Sequence, residues 1–301
     1  MYDDAGRRVA AHGRRPAEAH QMVLLDDVHS QLNPTCVDRV LRPVSVDDVR
    51  AAVQQARQRS QPLSIAGGRH AMGGQQFASG ALHLDMTGLA DVIDADAERG
   101  LLHIGAGATW PRIIAAANAM CAPDGTRAPT LAALAAPRGG WPGFGAAGHR
   151  AWAIRQKQTG VDEVTLGGSI AANAHGRGLL MGPLVDDIDA LVIVDAQQQV
   201  VRASRDENAE LFSLAAGGYG LFGVVVSATL RLVPRQRVRR LVDVLDLRDA
   251  MRAVRRRVDD GCIYGDFQFA IDPRDRGFLE RGVFACYRPV DDPGNDDDAV
   301  D

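Results

Sequence analysis

The residues best suited to chemistry in this 301-residue chain lie in two glycine-rich runs. The first, Gly67-Gly68-Arg69-His70-Ala71-Met72-Gly73-Gly74-Gln75, gathers main-chain N–H groups in a turn where glycine permits positive φ and close approach of a ligand. Such nests take phosphate oxygens, so a pyrophosphate suits this turn, although the same glycines also serve purely structural turns. The second run reads Thr165-Leu166-Gly167-Gly168-Ser169-Ile170-Ala171-Ala172-Asn173-Ala174-His175-Gly176-Arg177-Gly178. It sets small residues where a core would carry bulky ones, with hydroxyls at Thr165 and Ser169 among them. That pattern fits a flat, polar cofactor lying against backbone.

These runs need elements to hold them. Val46 to Val53 has apolar residues at helical spacing behind a cap at Ser45 or Asp47. Pro62 to Ala66 reads as a short buried strand feeding the first glycine turn, and Ala81 to Leu84 and Leu101 to Ile104 read as further strands. Trp110-Pro111 opens a second helix. Beyond the Ala, Gly and Pro stretch from Cys121 to His149, Asp189 to Asp195 and Val200 to Ala203 form a hairpin around Gln197 to Gln199. A short helix at Asn208 to Ala216, the turn Gly217 to Gly223 and a strand from Val224 to Leu232 follow. The expectation is an α+β fold. It comprises an irregular segment 1–34, a two-lobed domain 35–235 (lobes about 35–120 and 151–235 around an insertion about 121–150), an incomplete α+β cap domain 236–288, and an acidic tail 289–301 that is solvated and disordered.

The ordered set of Gly-Gly-Arg-His with Gln75, Val-Thr-Leu-Gly-Gly-Ser-Ile-Ala-Ala-Asn-Ala-His-Gly, and Gly217-Gly-Tyr-Gly-Leu-Phe-Gly-Val-Val225 resembles the PCMH-type FAD-binding domain of the vanillyl-alcohol-oxidase-like flavoproteins. The likeness covers roughly residues 35 to 235. Asn173-Ala174-His175-Gly176 is similar to the decaprenylphosphoryl-ribose oxidase branch, and Gly68-Arg69-His70 to the aldonolactone and alditol oxidases. The resemblance implies FAD as cofactor, with Ala66, Gly67, Gly68, Arg69 and His70 around the pyrophosphate and Gln75 in the same loop. It also implies Thr165, Gly167, Gly168, Ser169, Ala172, Asn173 and Gly176 along pyrophosphate and isoalloxazine, and Gly223 to Val225 at the adenine end. It further implies His70 as a site of covalent attachment to the flavin 8α-methyl, the other reading being a turn residue that donates a loop hydrogen bond. His175 is expected to face the flavin where substrate approaches, unless it is a buried, hydrogen-bonded histidine. Arg177 is expected to place positive charge near the reduced ring, unless it sits on the surface.

Other classes fall away. The net charge of −4, with cations spread along the chain, leaves no basic stripe for nucleic acid. Cys36, Cys121, Cys262 and Cys286 lack metal spacing and read as packed thiols, and no stretch is long and apolar enough for a membrane span, so a cytoplasmic protein is expected. Gly105-Ala106-Gly107-Ala108-Thr109-Trp110 has Trp110 where a dinucleotide fingerprint needs its third glycine, and reads as a tight strand-to-helix turn. Asp186-Asp187-Ile188-Asp189 reads as a solvated loop rather than a metal site.

The expected chemistry is oxidation of a CH–OH group of a sugar, polyol or sugar lactone by hydride transfer to flavin N5, with oxygen or another acceptor receiving the electrons. A truncated flavin-binding protein without turnover is the alternative. A reductase like the UDP-acetylenolpyruvoylglucosamine enzyme, which needs NADPH, is a third.

Overall fold

The computed structural model describes residues 22–120 and 152–290. The insertion expected at about 121–150 and residues 291–301 of the expected acidic tail lie outside the described residues, whereas Pro289 and Val290, assigned to that tail, belong to the last strand. The chain runs β1 (Val23–Leu25), β2 (Thr35–Val37), β3 (Arg39–Leu41), α1 (Val46–Gln58), β4 (Leu63–Ala66), β5 (Leu82–Asp85), β6 (Val92–Asp96), β7 (Leu101–Gly105) and α2 (Trp110–Ala119). It continues through β8 (Trp152–Ala153), α3 (Leu166–Ala171), β9 (Ile188–Val194), β10 (Val200–Ser204), α4 (Ala209–Ala215) and β11 (Val224–Arg231). It ends with β12 (Val233–Pro234), β13 (Arg237–Asp246), α5 (Leu247–Asp259), β14 (Tyr264–Phe269) and β15 (Arg281–Val290). None of the described helices is long and apolar enough to cross a membrane.

Two sheets carry the first part of the chain. A parallel sheet has the order β3-β5-β4, and an antiparallel sheet has the order β10-β9-β11-β7-β6. Strand β7, grouped by chain order with the first lobe, instead pairs with β11 from Ser227↔Gly105 to Arg231↔Leu101. Two features differ further from expectation in the same region. Strand β1, inside the segment read as irregular, pairs with β2, and β6 occupies an edge where its exposed pattern gives little alternation to detect.

Helix α1 forms as its sequence dictates. Ser45 is the cap, its hydroxyl accepting from the Asp48 N–H while the Asp48 carboxylate reaches back to the Ser45 N–H. That reciprocal box is worth about 1 kcal/mol. The buried face Val49, Ala52, Val53 and Ala56 packs with Leu82 and Leu84 against Val192, Val194, Val224 and Val226. On the opposite face of the five-stranded sheet, Leu191, Ile193, Ala228 and Leu230 meet Trp110 and Ile113 of α2, Leu166 and Ile170 of α3, and Phe212 of α4. Alternate residues thus face opposite layers. In β11 the parity changes across a bulge between Val225 and Ser227, so Val226 and Ala228 point to opposite sides.

The last three strands form an antiparallel sheet, β13-β15-β14, with α5 packed on it. Its thiols Cys262 and Cys286 are buried as expected, whereas Cys36 is exposed and Cys121 lies outside the described residues. The sheet is tied to the chain after α3 by Leu179 N–H to Ile263 C=O, by Gly265 N–H to Arg177 C=O and by an Arg177–Asp266 ion pair of 3.0 Å.

The acidic run Asp186-Asp187-Ile188-Asp189, which leads into β9, is not the solvated loop its charge suggests. Asp187 is buried against Arg155 at 2.6 Å, and Asp189 is buried against Arg231 at 2.9 Å, each arginine arriving from another segment. Burial pushes the Asp187 carboxyl up to about 6 in spite of Arg155. An ordinary aspartate titrates at 3.8, so between these values the native state holds a proton that the unfolded chain has released. This group's contribution to stability therefore falls as pH rises through that window. Asp187→Asn should remove that fall, which amounts to roughly 3 kcal/mol between about pH 4 and 6; urea midpoints of both proteins across the window check it.

Candidate functional site

The two glycine runs come together. Strand β4 delivers residues 66–76 to a cavity of about 530 Å³, and α3 closes its other side. The contact between them is close. Thr165 caps α3, its hydroxyl accepting from the Gly168 N–H, and a Cβ on Gly67 would lie 2.0 Å from that hydroxyl oxygen. Leu166 N–H donates to Ala108 C=O and Gly167 N–H to Ala106 C=O, so the tight turn after β7 anchors the start of α3. At the far end Gly223, with φ of 128°, lets the chain enter β11 in a conformation that side chains resist.

Thirteen of the expected residues line this cavity: Ala66, Gly67, Gly68, Arg69, His70 and Gln75 from the first run, Thr165, Gly167, Gly168, Ser169 and Ala172 from the second, and Gly223 and Val225. Asn173, His175, Gly176 and Arg177 do not. The reason is local. Asn173 adopts a left-handed conformation, φ 46°, directly after the helix, and Ala174 N–H returns to Ser169 C=O. The chain then leaves along another path. Gly176 N–H donates to the Gln156 side chain, and exposed His175 has a ring contact only with the adjacent Gly176 carbonyl among the described residues. Arg177 instead lines a second cavity of about 420 Å³, with Arg155, Lys157, Arg235, Tyr264 and Tyr287.

The structure adds residues that sequence reasoning missed, among them Met86, Ala106, Gln158 and above all His29. His29 Nε2 lies 2.8 Å from His70 Nδ1. No periodicity marks His29. It stands in a turn built on Asp27, whose carboxylate accepts from the N–H groups of His29 at 2.8 Å and Ser30 at 2.6 Å and from the Ser30 hydroxyl at 2.7 Å. Against the cost of its burial, these bonds bring Asp27 down to about 2, so the turn is held by an ionised carboxylate. Val28 N–H donates to Arg69 C=O and the Asn33 side chain to Met72 C=O, clamping the turn onto the glycine loop. Burial, with neighbouring His29 adding to it, holds the His70 imidazole below its ordinary range, against the opposing pull of Glu163.

The cavity's polar groups suit a dinucleotide. The main-chain N–H groups of Gly68, Arg69 and His70 donate no hydrogen bond among the described residues, and the buried Ser169 hydroxyl lacks a partner there. Unspent donors beside a glycine turn are what phosphate oxygens require. Apolar walls at Ile65, Met86, Val164 and Phe222 suit a flat ring. Fold and cavity together define a nucleotide-cofactor protein.

Comparison with known proteins specifies the cofactor. Residues 37–151 match the FAD binding domain family. The chain is 32% identical over 220 residues to cytokinin dehydrogenase 4 of Oryza sativa subsp. japonica, covering 68% of this chain and 35% of that protein. It is 24% identical over 200 residues to L-gulonolactone oxidase of Bos taurus, covering 66% and 38%. It is 35% identical over 81 residues to the mitochondrial L-galactono-1,4-lactone dehydrogenase of Brassica oleracea, covering 27% and 14%. The chain carries a PCMH-type FAD-binding domain, and its cofactor is FAD. It spans little more than a third of the length of the first two relatives.

Proposed function

We propose that the chain is part or all of an FAD-linked oxidoreductase that oxidises a CH–OH group of a sugar, polyol or sugar lactone and passes the electrons to oxygen or another acceptor. The observation that carries this reading is the cavity itself, in which thirteen residues of three separate motifs converge, together with relatives named as lactone oxidase and lactone dehydrogenase. When bound, FAD supplies the hydride acceptor. The protein's part is to hold it. Gly67, Gly68, Arg69 and His70 would offer N–H groups to the phosphates, Ser169 and Thr165 would line the path from phosphate to ring, and Gly223 and Val225 would close the remaining end. His70 is the proposed site of covalent attachment. The second cavity, with Arg177, Arg235, Tyr264 and Tyr287, offers polar side chains for a hydroxylated substrate.

A second reading has its own support, because several relatives are named cytokinin dehydrogenase. One experiment separates the readings. The FAD-loaded protein is mixed without oxygen with L-gulono-1,4-lactone, with a simple polyol, with a cytokinin and with NADPH, and loss of the oxidised flavin absorbance is followed. Bleaching by lactone or polyol is the expected result. Bleaching by cytokinin alone replaces the substrate class, bleaching by NADPH alone favours a reductase, and no bleaching by any of them favours a flavin-binding protein without turnover.

A further inference from the structure

The last sheet brings two thiols together. Cys286 stands in β15, the central strand, opposite Leu241 of β13 and Gly265 of β14, and Cys262 follows the end of α5. Their sulfurs lie 3.5 Å apart although the residues are 24 positions apart in sequence. Both are nearly covered, at 3% and 0% exposure, in the cluster that Ala253 and Phe284 complete. Glycines leave room on either side. A Cβ on Gly265 would lie 3.3 Å from that of Cys286, and one on exposed Gly261, whose φ is 87°, would meet no atom within 4 Å among the described residues. The turn before Cys262 is therefore open to solvent.

We propose that Cys262 and Cys286 are a disulfide-forming pair, oxidised by hydrogen peroxide, whose cross-link fixes the turn after α5 to the centre of the last sheet. Bonded sulfurs stand about 2.05 Å apart, so closing the pair takes roughly 1.5 Å of movement, within reach of side-chain rotation and a small shift of the turn. The thiols divide the work. Burial and the adjoining Cys262 thiol push Cys286 up to about 11, so it keeps its proton, whereas Cys262 adjoins the open turn. Cys262 Sγ attacks one peroxide oxygen, the O–O bond breaks, and the departing hydroxide takes the thiol proton as water, leaving a sulfenic acid. Cys286 Sγ then attacks Cys262 Sγ, the S–O bond breaks, and a second water carries off the Cys286 proton. The two thiols lose two electrons, and one peroxide gains them. The Arg257 guanidinium, paired with Asp243 at 2.7 Å, favours the thiolate that the second step uses. The link also bears on the second cavity: Ile263 N–H donates to Tyr287 C=O and Ile263 C=O accepts from Leu179 N–H, so the pinned turn adjoins Tyr264 and Tyr287 of its wall.

The test uses the full unsubstituted chain, loaded with FAD, reduced and freed of reductant. It is treated while folded with hydrogen peroxide, quenched in acid, unfolded and alkylated, and its peptides are mapped. The expected product is one linked peptide pair holding Cys262 and Cys286, which dithiothreitol separates. The linked protein should unfold about 1 M higher in urea than the reduced protein, because the cross-link restricts the unfolded chain, and dithiothreitol should abolish the difference. In Cys286→Ser, dimedone should trap the sulfenic acid at Cys262. Peroxide that oxidises exposed Cys36 yet leaves Cys262 and Cys286 alkylatable overturns the proposal, as does a link that forms only after unfolding in urea. A link that lowers the urea midpoint also overturns it, since the sheet would then have to deform to accept the bond. The main comparison needs no substitution at either sulfur and no oxidisable substrate, so its failure is distinct from failure of the substrate reading above.

Discussion

Gly67→Ala should lose FAD binding by at least about 100-fold, equivalent to roughly 2.7 kcal/mol, while leaving a folded protein. The added Cβ would lie 2.0, 2.7 and 2.9 Å from the hydroxyl oxygen, methyl and Cβ of Thr165. Thr165 has nowhere to go. It is buried, its hydroxyl caps the Gly168 N–H at 3.2 Å, and its backbone bridges to Thr109. Either Thr165 rotates and α3 loses its cap, or the glycine loop moves off α3 and withdraws the N–H groups of residues 68 to 70. Both outcomes damage the cavity wall without touching the central core. Titration with FAD, followed by flavin fluorescence, measures the loss. Thr165→Ala added to Gly67→Ala removes the hydroxyl and methyl and should restore part of the affinity. Unchanged affinity in the single variant would mean that the close approach of loop and helix does not shape the site.

The parts of the site that could be read in sequence are those whose physics is local. A Gly-Gly turn after a strand concentrates N–H donors whatever surrounds it, so Gly67 to His70 were legible. The cap at Ser45 was legible for the same reason, because the box needs only Ser45 and Asp48. Residues 166 to 171 were read only as small residues against which a flat cofactor could lie, with no helix assigned, and Gly167 and Gly168 are indeed poor helix formers. They form α3 because the Thr165 hydroxyl and the turn after β7 hold the first N–H groups, and tertiary packing overrides propensity there. His175 was misplaced because one left-handed residue, Asn173, redirects the chain by an amount that composition does not encode. His29 could not be found at all, since its meaning lies in a partner 41 positions away. The five-stranded sheet was only partly visible. The hairpin of β9 and β10 is sequential, whereas joining β7 to β11 brings together residues more than a hundred apart.

Trp110 shows how one position can decide between two folds of the same turn. After Gly105 and Gly107 it stands where a dinucleotide fingerprint needs glycine, so that a helix can approach its strand closely. Here the side chain is 1% exposed and packs with Leu166, Leu191 and Phe212 in the layer between the five-stranded sheet and α2 to α4. The turn is consequently used for packing: Gly107 N–H donates to Leu89 C=O, and Ala106 and Ala108 accept from the start of α3. Trp110→Ala should therefore cost about 3–5 kcal/mol, the transfer and cavity terms of a large buried aromatic, read as a fall in the urea midpoint with little change in slope. Trp110→Phe should cost much less. The Trp110 indole N–H is buried without a partner among the described residues, so phenylalanine surrenders volume but also removes an unsatisfied donor. Because α3 rests on this tryptophan, the alanine variant should also weaken FAD binding in proportion to the lost packing, whereas Gly67→Ala weakens binding with stability largely kept. The two variants thus separate the core that supports the cavity from the loop that lines it, and equal loss of stability in both would contradict that division.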